Sequence, residues 1–364
     1  MKKIKKIKKI AILSVSDHGN IGNRLQAYAM QKKILEFGFA SEHIEFRKVG
    51  FVFFFNKLLN VILKIFFTDN KKNKVTFQKK HFFKSQKKIS NFTKSFLKIK
   101  KYESLSDFKS EFSFNYSKLI VGSDVIWQSL NPLPLNFRFM SFLPKKLKFS
   151  YAASFGEQKI PAFMNYQYFK RIKDFNNISF REPVDSFYKK LDSTVDLDPT
   201  LLIKKTEWLS MQRKPNFLTD GRKFILFFIL NNGKNKVSND FLSRFNKNIR
   251  VIHAVDNDIG PQEFLYLINN SEFVITDSYH AIIFSLIFKK SFYSISRPDL
   301  GTNLSKRISY VLSIFNLLSR NKESLENIKF LDTLKYKKEF DDNLINRIKI
   351  SNHNLKKIVE NEFE

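Results

Sequence analysis

The segment Thr276-Asp277-Ser278-Tyr279-His280 closes one short apolar run and opens another, Ala281 to Leu286. A histidine at such a boundary suits proton transfer, because its ordinary pKa lies close to neutrality. In the first turn of a helix it meets free amide donors and a positive dipole end, which favour neutral imidazole. An anion bound beside it pushes the other way, so His280 can gain a proton when an anionic substrate arrives and act as a general acid. Asp277 offers an orienting carboxylate, or the cap of the helix that follows. Ser278 can cap as well, or meet a phosphate oxygen. A packed histidine at a helix start is the plainer use of the same residue types.

Four further clusters carry comparable chemistry. Arg181 follows a short apolar run, and its planar donor fork matches a carboxylate or phosphate; a surface pair with Glu182 or Asp185 uses it equally well. Gly122-Ser123-Asp124 forms a loop in which Asp124 can orient or deprotonate a sugar hydroxyl while Trp127 stacks on the ring. A turn aspartate and a core tryptophan explain those two residues more simply. Gly19 and Gly22 let backbone approach a ligand, with Asn20, Asn23 and Arg24 as donors, and Ser154 with Gly156 repeats the pattern. Either set of glycines can instead serve a tight turn. The GNIGN loop lacks the GxGxxG spacing and no GxxxxGK[ST] occurs, so the glycines specify no nucleotide.

The elements that must hold these clusters alternate between strand and helix. Residues 7–15 read as a buried strand and 26–37 as a helix ending at Gly38. Strands follow at 118–121, 148–152 and 177–180, the last after a helical stretch at 169–175. A polar, turn-rich linker spans 210–222. Beyond it come strands at 223–230, 251–255, 273–276 and 292–295, with helices at 261–268, 281–288 and 304–318. The expected division is an α/β unit over 1–209 with a basic amphipathic insertion around 47–100, a second α/β unit over 210–322, and a helical extension over 323–364 packing across both. Open parallel sheets keep their functional loops beyond the carboxyl ends of strands. Every polar cluster above falls at such an end.

Composition narrows the function further. The 364 residues include no Cys, so disulfides and thiolate chemistry are excluded, and six scattered His without an HExxH spacing give no metal site. The net charge is +30, and residues 1–100 hold 24 basic against 5 acidic side chains. Such a field attracts anions, although a general bias towards Lys, Asn, Phe and Ile accounts for most single lysines. The basic start is followed by too short an apolar run for a signal peptide, and no segment has the length of a transmembrane span. Residues 51–67, with Lys71, Lys72 and Lys74 beyond them, suit either an interfacial helix on an anionic membrane or a helix packed on the core. No nucleic-acid-binding motif accompanies the charge, which makes that partner the weakest candidate.

Together the motifs LQAYAMQ at 25–31, VGSDVIW at 121–127, YAASFG at 151–156, SFREPVDSF at 179–187, DPTLL at 198–202, GPQEFLYLI at 260–268 and TDSYHAIIFSLIFKKSF at 276–292 resemble the polysaccharide pyruvyl transferase family. The segment from Arg307 to Arg320 is similar to that family's closing helix. The resemblance implies two Rossmann-like domains in a glycosyltransferase-B-like arrangement. It also implies transfer of a pyruvyl ketal group from phosphoenolpyruvate, with no cofactor, to a sugar of a nucleotide-linked or lipid-linked glycan at the inner face of the membrane. It assigns His280 as the acid and Arg181 to the donor, with the GSD and GNIGN loops forming the cleft. Ala281 and Val125 stand where the family commonly has Gly and Gln. Two other functions compete: a glycosyltransferase using a nucleotide-sugar donor in the same cleft, and a non-enzymatic binder of anionic membrane or nucleic acid.

Overall fold

The computed structural model describes residues 8–15, 19–47, 79–128, 135–156, 160–230, 249–296, 306–328 and 330–360. Residues 51–67, read as an interfacial or packed helix, lie outside them, as do Asp17 and His18 of the early loop.

Among the described residues seven strands form the first sheet: β1 (Lys9–Leu13), β2 (Ser41–Phe46), β3 (Ile99–Tyr102), β4 (Tyr116–Asp124), β5 (Lys148–Ala153), β6 (Ser179–Phe180) and β7 (Thr194–Val195). They lie in the order β3-β2-β1-β4-β5-β6-β7, and every neighbouring pair is parallel. Parallel sheets are covered on both faces, which is why β1 reads as the continuous apolar run Ile10-Ala11-Ile12-Leu13, buried throughout. The connecting helices are α1 (Ile21–Glu36), α2 (Lys79–Phe96), α3 (Leu105–Asn115), the short α4 (Leu135–Arg138) and α5 (Ala162–Lys173).

Helix α6 (Lys205–Ser210) leads into a second sheet of β8 (Phe224–Phe228), β9 (Arg250–His253), β10 (Phe273–Thr276), β11 (Phe292–Ile295) and β12 (Asn321–Lys322). Among the described residues their order is β12-β11-β10-β8-β9, again all parallel. Helices α7 (Pro261–Asn270), α8 (Tyr279–Phe288), α9 (Lys306–Ile314) and α10 (Lys338–Glu360) complete this half. Each sheet has one point where the strand order reverses, between β1 and β4 in the first and between β8 and β10 in the second. Those reversal points are where open α/β sheets bind ligands. The carboxyl ends of both sheets meet there, with Gly22 of α1 against His280 of α8, in an arrangement of two Rossmann-like lobes.

The lobes share one apolar core. Its joint is a row of rings: Tyr28 of α1 lies 5.7 Å from Trp208 of α6, which lies 5.0 Å from Phe284 of α8, both edge to face. The stretch expected as a polar linker is therefore anchored at its start, and Trp208, Met211 and Leu218 are buried. Helix α10 begins on the second lobe, where Lys289 pairs with Asp341, and ends on the first. There Lys118 donates to the carbonyls of Ile358 and Val359 at 3.0 and 2.9 Å, and Ser351 Oγ accepts from the Leu197 amide at 2.9 Å. A cation meets the free carbonyls at a helix end, where the dipole is negative.

The stretch from 79 to 96, within the expected basic amphipathic insertion, forms a single helix with Ile89 and Phe92 buried against α1. Two expectations change. The helix read at 169–175 starts earlier, at Ala162, with Met164, Tyr168 and Ile172 turned inward at four-residue spacing. Strands β2 and β3 lie outside every expected element, because Glu42, Glu45, Lys100 and Lys101 interrupt their apolar pattern.

Lys118→Met keeps the length of the side chain but leaves two helix-end carbonyls without their charged donor. The expected cost is about 1–3 kcal/mol of unfolding free energy, read from urea denaturation, with loss of α10 protection in hydrogen exchange. An unchanged midpoint would show that α10 docks by its apolar face alone.

Candidate active site

Two helix N-termini converge between the lobes. Helix α1 leaves the carboxyl side of β1, capped by Asn20, whose side chain accepts from the Asn23 amide at 3.1 Å. Helix α8 leaves the carboxyl end of β10, with Ser278 at the cap position and no side-chain cap bond. Neither helix has an acidic residue in its first turn, so both present a positive end. The approach is close enough that a Cβ on Gly22 would stand 2.3 Å from His280 Nδ1. Only a residue without a side chain fits there.

The imidazole of His280 is buried, and its Nε2 has no hydrogen-bond partner. That nitrogen faces Asp198 Oδ2 at 3.7 Å, beyond hydrogen-bond reach. The same oxygen accepts from Arg181 Nη1 at 2.9 Å, while Asp198 Oδ1 accepts from the Thr200 amide and hydroxyl at 3.0 and 2.7 Å. Arg181 Nη2 lies 3.5 Å from Asp124 Oδ1, and its Nε lies 3.7 Å from Glu182 Oε2. Its guanidinium also stacks over the Tyr279 ring, 4.5 Å from the centroid; Arg307 of α9 lies over the same ring at 5.5 Å. Three carboxylates, two guanidiniums and one imidazole thus form a cluster drawn from both lobes, with Arg181, Asp124, Asp198, Glu182 and His280 buried.

Their titration follows from that crowding. Burial lowers the pKa of His280 below the ordinary imidazole value, assisted by Arg181 and Arg307 and opposed by Asp198 and Asp124. Asp124 is driven up by burial, but Arg181, His280, Asn23 and Arg307 outweigh this and bring it to about 2. Burial raises Glu182, against the pull of Arg181 and a hydrogen bond from Ser154. The free site therefore holds neutral imidazole beside an ionised Asp124.

The model of the family described as polysaccharide pyruvyl transferase matches residues 20–299, most of the chain and all of the residues just described except Arg307. The chain belongs to the polysaccharide pyruvyl transferase family. It is accordingly a transferase. No curated protein matches it. Among solved structures it is similar to a UDP-GlcNAc 2-epimerase from Neisseria meningitidis bound to UDP-GlcNAc, at 12% identity and TM-score 0.44 over 97% of this chain and 100% of that one. It is also similar to a glycosyltransferase from Rickettsia africae ESF-5, at 10% identity and TM-score 0.43 over 98% and 100% of the two chains.

In this pyruvyl transferase family member, the residues singled out by sequence fall into two groups. His280, Arg181, Asp124, Asn23 and Gly22 come together: Asn23 Nδ2 donates to Asp124 Oδ2 at 2.9 Å and Gly22 abuts the imidazole. The others stand behind them or elsewhere. Gly122 has a φ of +128° and its absent Cβ would lie 2.1 Å from the Tyr151 carbonyl, so its need for glycine is a packing need. Ser123 donates to the Ala152 carbonyl at 3.1 Å. Ser154 donates to Glu182 at 2.5 Å and accepts from the Gly156 amide at 2.9 Å, fixing that carboxylate from behind. Arg24 is buried, and it binds the Asn23 side chain at 2.5 Å and the Val15 carbonyl at 3.3 Å. Asn20 is an exposed helix cap, and Gly19 precedes it in the turn.

Two roles need correction. Trp127 cannot stack on a sugar: it is fully buried, with Phe139, Phe155, Phe175 and Phe180 packed about its ring at 5.5 to 6.0 Å. Asp277 does not cap α8; Ser278 holds that position and the Asp277 carboxylate accepts from the Leu230 amide at 2.7 Å, tying the ends of β8 and β10 together. Asp198, Glu182, Tyr279 and Arg307 escaped the sequence search as site residues. Asp198 and Glu182 did carry a signal, since each adjoins a strand end and carries a charge too near apolar residues to be solvated without cause.

Asp198 raises the pKa of His280, so Asp198→Asn should lower the imidazole titration further, as read by proton NMR. An unchanged titration would separate the two residues. Gly22→Ala forces the imidazole aside and should lower turnover by roughly 10²-fold, whereas normal kinetics would show that the approach of α1 to His280 has no bearing on the chemistry.

Proposed function

We propose that this cleft moves an enolpyruvyl-derived unit from phosphoenolpyruvate to two hydroxyls of a sugar, closing a cyclic pyruvate ketal on a surface glycan or its nucleotide-linked or lipid-linked precursor. The observation that carries the proposal is the buried imidazole of His280 between two helix N-termini, its Nε2 unpartnered. Helix N-termini favour phosphate and carboxylate, and phosphoenolpyruvate carries both.

Protonated His280 gives its proton to the methylene carbon of the donor, leaving positive character on the adjacent carbon. A sugar hydroxyl attacks that carbon and loses its proton, the carbon–oxygen bond to phosphate breaks, and the second hydroxyl closes the ketal. One hydroxyl proton replaces the one His280 delivered, and the other leaves with inorganic phosphate. No redox change occurs, and the step calls on no cofactor. The donor's negative charge raises the pKa of His280 on binding, which arms the acid only when substrate is present. Arg181 takes the donor carboxylate by giving up its contact to Asp124, which at 3.5 Å is longer than the one to Asp198 at 2.9 Å. Asp124 thereby loses its main neutralising partner and becomes the base for the attacking hydroxyl. The donor and activated sugars are made inside cells, so the reaction belongs on the cytoplasmic side of the membrane. Among the described residues no helix is long and apolar enough to cross it.

His280→Ala should lower phosphate release from phosphoenolpyruvate and acceptor by ~10²–10⁴-fold, while donor affinity by calorimetry persists. Near-normal turnover would reject the assignment. The pH profile has a definite sign. A general acid must be protonated, so kcat/KM falls as pH rises through the pKa of the free enzyme, which burial sets below the ordinary imidazole value. The fall in kcat comes at higher pH, because bound donor raises that pKa. Coincident limbs would remove the proposed coupling between donor and proton.

A further inference from the structure

The first lobe ends in a face that neither the cleft nor the core uses. Helix α5 turns Met164, Tyr168 and Ile172 inward. Its opposite side carries Phe163 and Tyr166, 59% and 69% exposed, followed by exposed Lys170 and Lys173. At 100° per residue these four side chains fall within one arc of the helix. Residues 187–190 pack along one flank: Phe187 meets Phe169 at 5.5 Å and the Tyr188 hydroxyl donates to Asn165 at 3.0 Å. That flank adds the exposed ring of Phe187, with exposed Lys189 and Lys190. Beside the helix Ser141, Lys145, Lys170, Arg171 and Lys173 share an open groove with one carboxylate, Asp174, which is paired with Lys148.

The ends of this face differ. Helix α5 connects two parallel strands, so it runs back from the carboxyl edge of the sheet to the amino edge. Phe163 and Tyr166 therefore lie at the carboxyl edge, where the cleft opens, and Lys170 and Lys173 lie farther from it. Residues 187–190 follow β6 and sit at the carboxyl edge too. Lys306 of α9 pairs with Asp185 at the base of that loop, which places the rings beside the contact between the lobes. Exposed aromatic rings, one of them carrying a hydroxyl, clustered at one edge and bordered by flexible cations, match the layered chemistry of a bilayer surface, where amphipathic rings sit at headgroup level. The rings enter the boundary between headgroups and acyl chains, and the lysine heads reach phosphates around them. A nucleic acid strand would call for rings and cations interleaved along a track, which this face does not offer.

We infer that the face formed by α5 and residues 187–190 docks on an anionic lipid bilayer, holding the mouth of the cleft at the membrane surface. The face includes none of residues 51–67. It involves no catalytic side chain, so its failure and that of the pyruvyl-transfer proposal are distinguishable.

The experiment uses the full chain with phosphatidylcholine vesicles, with and without phosphatidylglycerol, in co-sedimentation at physiological salt. The wild type should bind the anionic vesicles. Replacing both lysines (Lys170→Ala with Lys173→Ala) should weaken binding roughly 30-fold, from about 1 kcal/mol for each cation near the surface. Replacing both rings (Phe163→Ser with Tyr166→Ser) should abolish the part of the binding that survives high salt. Donor affinity should hold in both variants, because none of the four side chains belongs to the charge cluster, and circular dichroism checks that each variant is folded. Three results overturn the inference: no binding by the wild type, wild-type binding by both variants, or loss in these variants of self-association or of single-stranded nucleic-acid binding without loss of vesicle binding.

Discussion

Asp198 sits between two groups that it holds in different ways. One oxygen accepts from Arg181 and faces the unpartnered nitrogen of His280, and the other is fixed by the amide and hydroxyl of Thr200. A carboxylate buried this deeply persists only because it is paired, and removing one partner of such a pair leaves a charge the interior cannot solvate. Arg181 comes from the end of β6, Asp198 from beyond β7, and His280 from the second lobe. Assembly of the charge cluster and closure of the two lobes are therefore the same event. The shared core through Tyr28, Trp208 and Phe284 supplies the apolar part of that closure.

Topology explains why the cluster forms where it does. Each sheet reverses its strand order once, and at each reversal a helix starts beside the gap that the neighbouring connections leave open. Helices α1 and α8 point their positive ends into the gap from opposite lobes. Their contact depends on the missing side chain at Gly22. The result is a buried site rich in carboxylates that still offers anion-seeking amides and a proton carrier. The proposed transfer calls on that combination, since its donor is an anion that accepts a proton at carbon, passes that carbon unit to the sugar and releases phosphate.

Much of this was legible in the sequence, because buried parallel strands write themselves as unbroken apolar runs. Residues 273–276 and 292–295 were read with the bounds that β10 and β11 have. The missed strands β2 and β3 carry charged residues whose partners lie on other elements, Glu42 on Lys9 and Tyr116, Lys100 on Glu111 and Lys101 on Glu45, a tertiary fact that no local pattern displays. In the site, His280, Arg181 and Asp124 stood out because each charge or imidazole follows an apolar run at a strand end. Asp198 was visible only as the start of a turn before a proline, and its meaning lies in partners at positions 181 and 280. Trp127 shows the opposite error. Beside a polar loop it reads as a sugar platform, yet four phenylalanines from distant positions enclose it.

The most direct measurement is the isotopic content of the transferred group. With phosphoenolpyruvate and a panel of glycan acceptors in deuterated water, mass spectrometry should find the pyruvyl ketal on the sugar, its methyl group carrying one deuterium delivered through His280. A ketal whose methyl group holds no solvent deuterium, or transfer of an intact sugar from a nucleotide-linked donor in its place, would contradict the account.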